Sequence, residues 1–349
     1  MKVQKAELVQ KINKMKGVVP KKSTVPALHG ILVLNGYFIA SNMEMTVKVK
    51  TEAAEGEKFI IPEHAFDFIN NLPDGDVEIS DSGNNSIIIK SEKIRNRYQT
   101  TDPAQFPLIT EQEEGSELAV SADMILESMK RVFYAISSQE CNPVMSSMCL
   151  QAGGGWLNFV GLDGHVLAWD RVEYDGEFEL LIPKNTADRL KALGLSGEVK
   201  IKHNRNGAVF STDEIEVYTR LVDGEYFRYR EMFKELPLHT VVSRTELLEA
   251  MTRAKMCTEE RCPVRFKLDG NFLGLSIKGR LTDYDEAIGL QETLSEALTI
   301  GFDARLVLET MKAFDCDNVG LSFGGSKMPV IVEAEDSDFK AIVLPVAIN

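Results

Sequence analysis

The fold is decided by the stretch LIPKNTADRLKALGLSGEVKI, residues 181–201. Two apolar residues end a strand before Pro183. A proline can open a helix because the amide of a first helical position has no hydrogen-bond partner to lose. Leu190 and Leu193 recur at helical spacing, and residues 194–197 are rich in turn formers. The stretch therefore predicts a strand, about three turns of helix, a turn and a second strand.

The same pattern occurs in residues 60–79 and 299–321, so the chain contains three copies. From Pro62, Pro183 or its counterpart Phe302 to the valine that opens the next strand, the copies span 15, 16 and 17 residues. Self-similarity at about a third of the chain length indicates repeated domains. The predicted domains are 1–117, 118–238 and 239–349.

Each predicted domain contains two helices and several strands. Polar stretches at 111–117 and 234–240 separate the domains, and the dipeptide Asn35-Gly36 between two apolar runs predicts a hairpin. Turns at 153–155 and 269–271 predict two more hairpins. The predicted helices are 4–16, 62–72, 121–136, 183–193, 243–256 and 303–314. We therefore predict an α+β fold of three repeated domains, each with two helices packed on antiparallel β-sheet.

The composition is that of a globular protein, with 44% apolar and 26% charged residues in a chain of 349. No apolar run approaches the roughly 20 residues needed to cross a bilayer, and the N-terminus does not resemble a signal peptide. We therefore expect a cytoplasmic protein with no membrane partner. The five histidines and five cysteines lack metal-ligand spacing, and an odd number of cysteines without a CxxC pair predicts free thiols. The cysteines are Cys141, Cys149, Cys257, Cys262 and Cys316. We predict no metal and no cofactor.

The charge is segregated along the chain. The net charge is −14, which taken alone argues against a nucleic-acid partner, but the six predicted helices together carry +4 and leave −18 for the remainder. Lys184 and Lys191 lie seven residues apart on one helix, and Arg305 and Lys312 repeat that spacing. A charged helix face is usually only solvated. If repeats assemble side by side, however, such faces would form a positive lining for a polyanion, whose phosphates are bound without regard to sequence.

Three motifs suggest chemistry but have simpler explanations. Asp163-Gly164-His165 contains half of a nucleophilic triad, so a hydrolase site is one hypothesis, but no Gly-x-Ser-x-Gly motif accompanies it and a tight turn explains it better. Residues 153–155 lack the continuation of a phosphate-binding loop. The acidic stretches at 74–76 and 315–318 lack the pattern of a calcium loop and read as turns.

Several motifs, in order, resemble one family: the bacterial DNA polymerase III beta subunits, or beta sliding clamps. Residues 22–28, KSTVPAL, are similar to R-x-T-L-P-I-L, and residues 103–107, PAQFP, to P-A-x-x-F-P. Residues 162–168, LDGHVLA, are similar to T-D-G-H-R-L-A, and 221–230 to L-V-D-G-x-F-P-D-Y-R. Leu344-Pro345-Val346 stands where the family has M-P-M/V. The resemblance covers the chain from end to end.

The resemblance implies a non-catalytic DNA clamp. Each chain would form half of a closed ring, a head-to-tail homodimer with helices lining a hole for duplex DNA of any sequence. The implied partners are the DNA polymerase III catalytic subunit and the clamp loader, with other repair polymerases and ligase as further candidates. Lys22 and Gln139 are DNA-facing by matched position. The helix charges add Lys11, Lys14, Lys184, Lys191, Arg253, Arg305 and Lys312.

The family's partners insert a short peptide between the second and third domains. By resemblance the pocket would be lined by Met145, Leu162, Gly164, His165, Val166, Leu167, Phe227, Met232, Asn318, Val343, Leu344, Pro345 and Val346. The dimer seam would place Tyr98 and Thr100 of one chain against Lys255 and Met256 of the other.

The departures from the family pattern fall mostly at this pocket. Val166, Glu231 and Ala347 stand where arginines are usual, and Phe227 replaces a proline. The loss of cations and the new carboxylate would change which peptide fits. A divergent or phage-type clamp with its own polymerase is therefore one alternative. A second is an interaction scaffold that kept the fold without DNA binding.

Overall fold

A computed structural model describes residues 1–109, 115–139, 141–257, 263–294 and 296–348. The chain forms two compact units, the first from residues 1–125 and 185–221 and the second from 126–184 and 222–349. The α-helices of the described residues are α1 Lys5–Met15, α2 Phe66–Asn70, α3 Ala122–Phe133, α4 Lys184–Leu193, α5 Arg244–Cys257 and α6 Ala304–Ala313.

The strands are short and all pair antiparallel. Those up to residue 121 are β1 Lys2–Gln4, β2 Gly30–Leu34, β3 Tyr37–Ser41, β4 Met45–Lys50, β5 Lys58–Pro62, β6 Asp76–Asp81, β7 Ser86–Ser91, β8 Ile94–Gln99 and β9 Ser116–Ser121. Those up to residue 243 are β10 Ser147–Gly153, β11 Trp156–Leu162, β12 Val166–Glu173, β13 Phe178–Pro183, β14 Glu198–His203, β15 Gly207–Ser211, β16 Ile215–Arg220 and β17 Leu238–Ser243. The rest are β18 Val264–Asp269, β19 Phe272–Lys278, β20 Asp283–Gly289, β21 Leu298–Phe302, β22 Asn318–Phe323, β23 Val330–Glu333 and β24 Lys340–Val343.

The first unit contains a four-stranded and an eight-stranded sheet. The smaller sheet has the order β1-β6-β7-β8, so that β8 is an edge strand. The larger has the order β5-β2-β3-β4-β16-β15-β14-β9. At its centre β4 pairs with β16 from Met45–Thr219 to Val49–Ile215, and this seam joins strands that are far apart in sequence.

The second unit repeats this plan. Its smaller sheet has the order β20-β19-β18-β21, with β20 at one edge, and its larger sheet has the order β13-β10-β11-β12-β24-β23-β22-β17. The central seam pairs β12 with β24 from Val166–Val343 to Trp169–Lys340. After β24 the chain passes to the smaller sheet, where the amide of Val346 donates to the carbonyl of Gly301 at 2.8 Å.

The structure confirms the predicted α+β class with antiparallel sheets. Five of the six predicted helices end within three residues of the predicted bounds, whereas α2 has only five residues and follows a turn of 3-10 helix at Glu63–Ala65. The order strand, helix, strands, helix, strands recurs three times, at α1/α2, α3/α4 and α5/α6. The three-domain division itself stays a prediction.

The strands β1, β9 and β17 are among those that were not predicted, because only one face of each is apolar. Each immediately precedes the first helix of a repeat. In β9 only Leu118 and Val120 are buried, which is the alternation of an edge strand. The predicted junctions at 111–117 and 234–240 overlap the starts of β9 and β17, and residues 111–114 lie outside the described residues.

The predicted hairpins are confirmed. Asn35 and Gly36 between β2 and β3 have φ of 46° and 85°, and Gly154 and Gly155 between β10 and β11 have φ of 64° and 82°. Positive φ at both central residues matches the right-handed twist of the flanking strands. Glycine adopts it without the steric cost of a Cβ atom.

The structure also bears on the predictions about thiols, metal sites and membrane-spanning segments. Cys141, Cys149, Cys257 and Cys316 are free thiols, while Cys262 lies outside the described residues. In the part of the chain that the structure describes, no three His, Cys, Asp or Glu side chains converge on a metal site. None of its helices is long and apolar enough to traverse a lipid bilayer.

Candidate functional site

A buried apolar cluster lies along the β12–β24 seam of the second unit, and the surface beside it, to which Phe227, Met232 and Leu344 contribute, is called the apolar groove. Leu167 and Ile342 are paired across the seam and nearly fully buried. They are covered by the segment 226–236, whose Tyr226 and Tyr229 pack into the same cluster. The partly buried side chains around this cluster are Val144, Trp169, Val222, Phe227, Phe233 and Leu236.

Aromatic packing and hydrogen bonds hold the covering segment in place. Trp169 meets Tyr229 edge-on at 5.4 Å between ring centroids and Phe233 at 5.3 Å. The Tyr229 hydroxyl donates to Oε1 of Gln151 at 2.8 Å, and the indole of Trp169 donates to Oδ1 of Asn158 at 2.9 Å. Burial raises the pKa of Tyr229 to about 12, so the hydroxyl keeps its proton and its donor role. The groove wall is therefore preorganised.

The rim of the groove exposes apolar side chains. Met232 is 41% exposed and Leu344 38%, and Phe227 packs edge-on against Tyr226. The amide of Leu344 donates to the carbonyl of His165 at 2.8 Å, which fixes the end of β24 beside the β11–β12 turn. Exposed methionine and leucine side chains beside a buried apolar floor are typical of a surface that binds an apolar peptide.

The turn between β11 and β12 is held by Asp163. Its Oδ1 accepts hydrogen bonds from the amides of His165 and Val166, both at 2.9 Å. Gly164 has a φ of 86°, and a Cβ there would lie 3.3 Å from Cε of Met145. Because the Asp163 carboxylate is committed to the turn, these contacts support the structural interpretation of Asp-Gly-His over the hydrolase hypothesis.

The structure brings most of the predicted pocket residues to one part of the second unit, and the exceptions are Val166, Val343 and Asn318. Leu162 and Leu167 belong to the buried cluster, Phe227 packs against it, and Met232 lies on the covering segment. Leu344 is bonded to His165, Gly164 lies near Met145, and Pro345 and Val346 follow Leu344. Successive strand residues point to opposite faces, so Val166 and Val343 face away from Leu167 and Ile342. Val343 instead lines a small core cavity with Phe302, Val307 and Met311.

Asn318 is not brought to the groove. It begins β22, where it pairs with Ser243, while the groove end of that strand is Phe323, whose partner Val330 pairs with Val343. Five residues of strand separate the two ends, or about 17 Å. Its selection followed sequence position alone, without the antiparallel register.

The structure shows the surroundings of two residues that depart from the family pattern, Val166 and Glu231. Val166 is only 1% exposed, so it does not offer a surface where the family has arginine. Glu231 lies 3.8 Å from Arg228, and both side chains are largely exposed. The carboxylate thus has a neighbouring cation, and the net charge of this part of the rim is near zero.

The first unit contains the same backbone frame without the groove. Asn42 accepts hydrogen bonds from the amides of Glu44 and Met45 as Asp163 does in its turn, and Met43 has a positive φ of 75° where the second unit has Gly164. The amide of Arg220 donates to the carbonyl of Glu44 at 2.8 Å, which matches the contact of Leu344 with His165.

This equivalence aligns the two seams residue by residue. Thr46 and Tyr218 stand where the second unit has Leu167 and Ile342, and Lys48 forms a 2.6 Å ion pair with Glu216 where the second unit has Trp169 and Lys340. Polar and charged pairs thus replace the apolar floor. The apolar groove is a property of the second seam, which neither composition nor spacing predicted.

Two of the predicted dimer residues, Tyr98 and Thr100, lie on or next to the edge strand β8, and the other two lie on α5, the helix that packs against β20. Tyr98, on β8, packs against His64 and Phe68, with ring centroids 5.5 and 5.7 Å apart. The Thr100 hydroxyl donates to the carbonyl of Ile60 at 2.9 Å. Lys255 and Met256 lie at the end of α5, and Met256 is 80% exposed.

The two edges carry opposite charges. On β8, Arg95 and Arg97 are exposed on the face away from Tyr98. On β20, Asp283 and Asp285 are exposed on the face away from Glu286, which binds Arg253 of α5. Among the described residues no strand pairs with the outer side of β8 or β20.

Most predicted DNA-facing cations already have partners. Four pair with a carboxylate: Lys11 with Glu7 at 2.7 Å, Lys191 with Asp188 at 3.5 Å, Arg253 with Glu286 at 2.6 Å and Lys312 with Glu309 at 2.9 Å. Arg305 is 4.0 Å from Asp303. Lys184 donates to the Ile136 carbonyl and to Ser138. Gln139 and Lys22 are exposed. Lys14 and Lys22 have no ion pair within the described residues.

Comparison with known proteins gives a consistent family. Residues 1–110 match the family model of the DNA polymerase III beta subunit N-terminal domain, and residues 234–347 match that of its C-terminal domain. The beta sliding clamp of Bacillus subtilis is 22% identical, over 99% of this chain and 98% of the relative. That of Staphylococcus epidermidis is 23% identical, over 97% of this chain and 96% of the relative.

Solved structures share the fold over the full length. A sliding clamp of Pseudomonas aeruginosa bound to griselimycin superposes with a TM-score of 0.92, at 22% identity and covering 100% of this chain and 99% of that one. The DNA polymerase III beta subunit of Thermotoga maritima gives 0.89, at 24% identity and the same coverage. With both terminal domain models matched and full-length relatives of one kind, this chain belongs to the DNA polymerase III beta subunit family, the bacterial sliding clamps.

Proposed function

We propose that two copies of this chain close head to tail into a ring that encircles duplex DNA and tethers a DNA polymerase. The observation that carries the proposal is that β8 and β20 are each an unpaired edge strand of a small sheet within the described residues. An unpaired edge strand invites pairing with another chain, and a strand from a second copy would extend each four-stranded sheet to eight. Eight is the number that each unit already reaches at its own central seam.

The charges favour pairing β8 of one chain with β20 of the other. Arg95 and Arg97 would oppose Asp283 and Asp285 on one face, whereas β8 against β8 or β20 against β20 would oppose like charges. Opposite charges directly across a strand pair stabilise it, and like charges destabilise it. Each copy has one edge of each kind, so a head-to-tail arrangement closes with both edges satisfied.

The apolar groove at the β12–β24 seam is proposed to bind partner peptides. A short segment with two or three apolar side chains would place them against Phe227, Met232 and Leu344. Polymerases and a clamp loader are the partners expected of the family, with repair polymerases and ligase as candidates. One such groove per chain gives two per ring, so partners could exchange on the same DNA.

The clamp role is mechanical, and we propose no catalytic activity. The hydrolase hypothesis would need the Asp163 carboxylate to orient a base, but it already accepts two backbone amides. A protein that acts on the bacterial chromosome would work in the cytoplasm.

A loader-free topological assay tests the proposal. Duplex DNA is fixed to a bead at one end and incubated with the protein, so that rings thread over the free end. That end is then capped with a bulky antibody on half of the beads. At about 0.5 M salt, where phosphate contacts are weak, we expect retention only on the capped DNA. Equal retention on capped and uncapped DNA would contradict topological tethering.

A further inference from the structure

The first unit contains a long segment without any carboxylate. Residues 8–43 include no aspartate or glutamate but five lysines, Lys11, Lys14, Lys16, Lys21 and Lys22. The last four lie in the final turn of α1 or in the loop that follows it, and Lys16, Lys21 and Lys22 are exposed. Within the described residues none of these four forms an ion pair. The segment is therefore a local concentration of uncompensated positive charge.

Arg189 of α4 adds a guanidinium to this loop. Its terminal nitrogens and Cζ lie 2.2–2.7 Å from the position that a Cβ on Gly17 would occupy, so the guanidinium rests directly on the Gly17 backbone. A side chain at residue 17 would displace this guanidinium from its position. The buried Nε of Arg189 has no hydrogen-bond acceptor in the part of the chain that the structure describes.

The unpaired Nε of Arg189 is unusual. Buried donors normally find an acceptor, and this one does not. The C-terminal end of α1 carries the negative pole of the helix, which favours a cation such as the guanidinium next to Gly17, in the loop that carries the lysines. An oxyanion is the ligand that would satisfy both the guanidinium and the lysines, because charge-assisted bonds from arginine to phosphate are strong and forked.

Five of the other predicted DNA-facing cations have carboxylate partners, whereas Lys184 donates to a carbonyl and a hydroxyl. Lys191, on the same helix as Arg189, is paired with Asp188, and Lys312 is paired with Glu309. A lysine paired with a carboxylate one helical turn away produces almost no net electrostatic field beyond the pair. The electrostatic attraction for DNA should therefore be concentrated on the loop after α1 rather than spread evenly over the helices.

We infer that Arg189, with Lys14, Lys16, Lys21 and Lys22, forms a phosphate-binding site for duplex DNA on the first unit. The inference rests on the proposed clamp function and refines it: one site in each chain holds the DNA backbone, while paired cations elsewhere let the duplex slide with little resistance. Neither composition nor family resemblance selected Arg189, Lys16 or Lys21.

The test measures DNA binding as a function of salt. Anisotropy of a fluorescein-labelled duplex of about 40 base pairs is titrated with the full chain between about 20 and 200 mM salt. The variants are Arg189→Gln and, as matched control on the same helix, Lys191→Gln. Gly17→Ala is a second variant that keeps every charge but displaces the guanidinium. Sedimentation velocity and thermal melting establish that each variant keeps the assembly and fold of the wild type.

For Arg189→Gln we expect the slope of log K against log salt to fall by about 0.9 for each phosphate that is no longer bound, and affinity at about 50 mM salt to fall roughly tenfold. Gly17→Ala should weaken binding in the same direction, and Lys191→Gln should change it less than half as much. Equal effects of Arg189→Gln and Lys191→Gln, with normal wild-type binding, would overturn the site but leave the clamp proposal standing. Absence of salt-dependent DNA binding by the wild type would overturn both.

Discussion

Reversing the charge of one sheet edge should turn the homodimer into an obligate pair of two different variants. In an acidic-edge variant, Arg95 and Arg97 are both replaced by glutamate, so that β8 and β20 are both negative. In a basic-edge variant, Asp283 and Asp285 are both replaced by lysine, so that both edges are positive. Neither variant can close a ring with itself without opposing like charges at both seams. A ring of one copy of each has opposite charges at both.

The magnitude follows from the pairs at each seam. An exposed cross-strand ion pair contributes about 0.2–1 kcal/mol, and an opposed like-charge pair costs a similar amount. Replacing two attractive pairs by two repulsive ones costs about 1–4 kcal/mol per seam, or about 2–8 kcal/mol for a ring with two seams. Dissociation constants of the self-paired variants should rise between roughly thirtyfold and a millionfold.

Sedimentation velocity at low salt, with each variant alone and then with equal amounts mixed, measures this directly. We expect 38.9 kDa monomers for each alone and a species of twice that mass on mixing. The control is Lys90→Glu, which disrupts the 3.2 Å pair with Glu78 inside the same small sheet and should leave the dimer intact. Self-association of either variant at wild-type strength would refute the pairing of β8 with β20.

Three further outcomes are expected. Met256→Asp should give monomers in sedimentation, because it would bury an unpaired carboxylate at the seam; an unchanged dimer would exclude Met256 from the interface. Replacing Met232 and Leu344 together by glutamate should abolish selection of apolar peptides from a phage-displayed library of about 12-residue peptides without changing the oligomer, and continued selection of the same peptides would place their site elsewhere. Burial raises the pKa of Asp170, despite the hydrogen bond from Ser128 and the charge of Arg131, so its proton stabilises the fold below about pH 4 and this stability is lost as pH rises through the raised pKa. Chemical denaturation should therefore show the free energy of unfolding of Asp170→Asn increasing relative to that of the wild type from about pH 4 upward. A difference that does not depend on pH would contradict the raised pKa.

Local signals in the sequence were sufficient for much of the fold. Proline at first helical positions, helical spacing of leucines and glycine-rich turns predicted five helices and three hairpins, because each depends on a few neighbouring residues. The opening strands β1, β9 and β17 were missed since half of each faces solvent and their stability comes from distant strands. The seams between β4 and β16 and between β12 and β24 join segments more than 160 residues apart, which no local pattern encodes.

The same distinction applies to the candidate sites. Residues in the Asp163–Val166 turn and at the end of β24 could be chosen by motif. The face of the sheet to which Val166 and Val343 point, however, depends on their position along the strand, because successive residues point to opposite faces. Asn318 was misplaced because the register of β22 was unknown. The sequence indicated where cations lie but not which of them have carboxylate partners. Arg189 became evident only when its guanidinium was found on Gly17, a residue 172 positions away along the chain.

The proposed clamp function requires a closed ring in which β8 of each chain continues the sheet that ends at β20 of the other. Electron cryo-microscopy of the full chain is the most direct test. It should show a two-chain ring with an opening wide enough for duplex DNA, and with both small sheets extended to eight strands. A particle without an opening, or a dimer in which β8 meets β8, would contradict it.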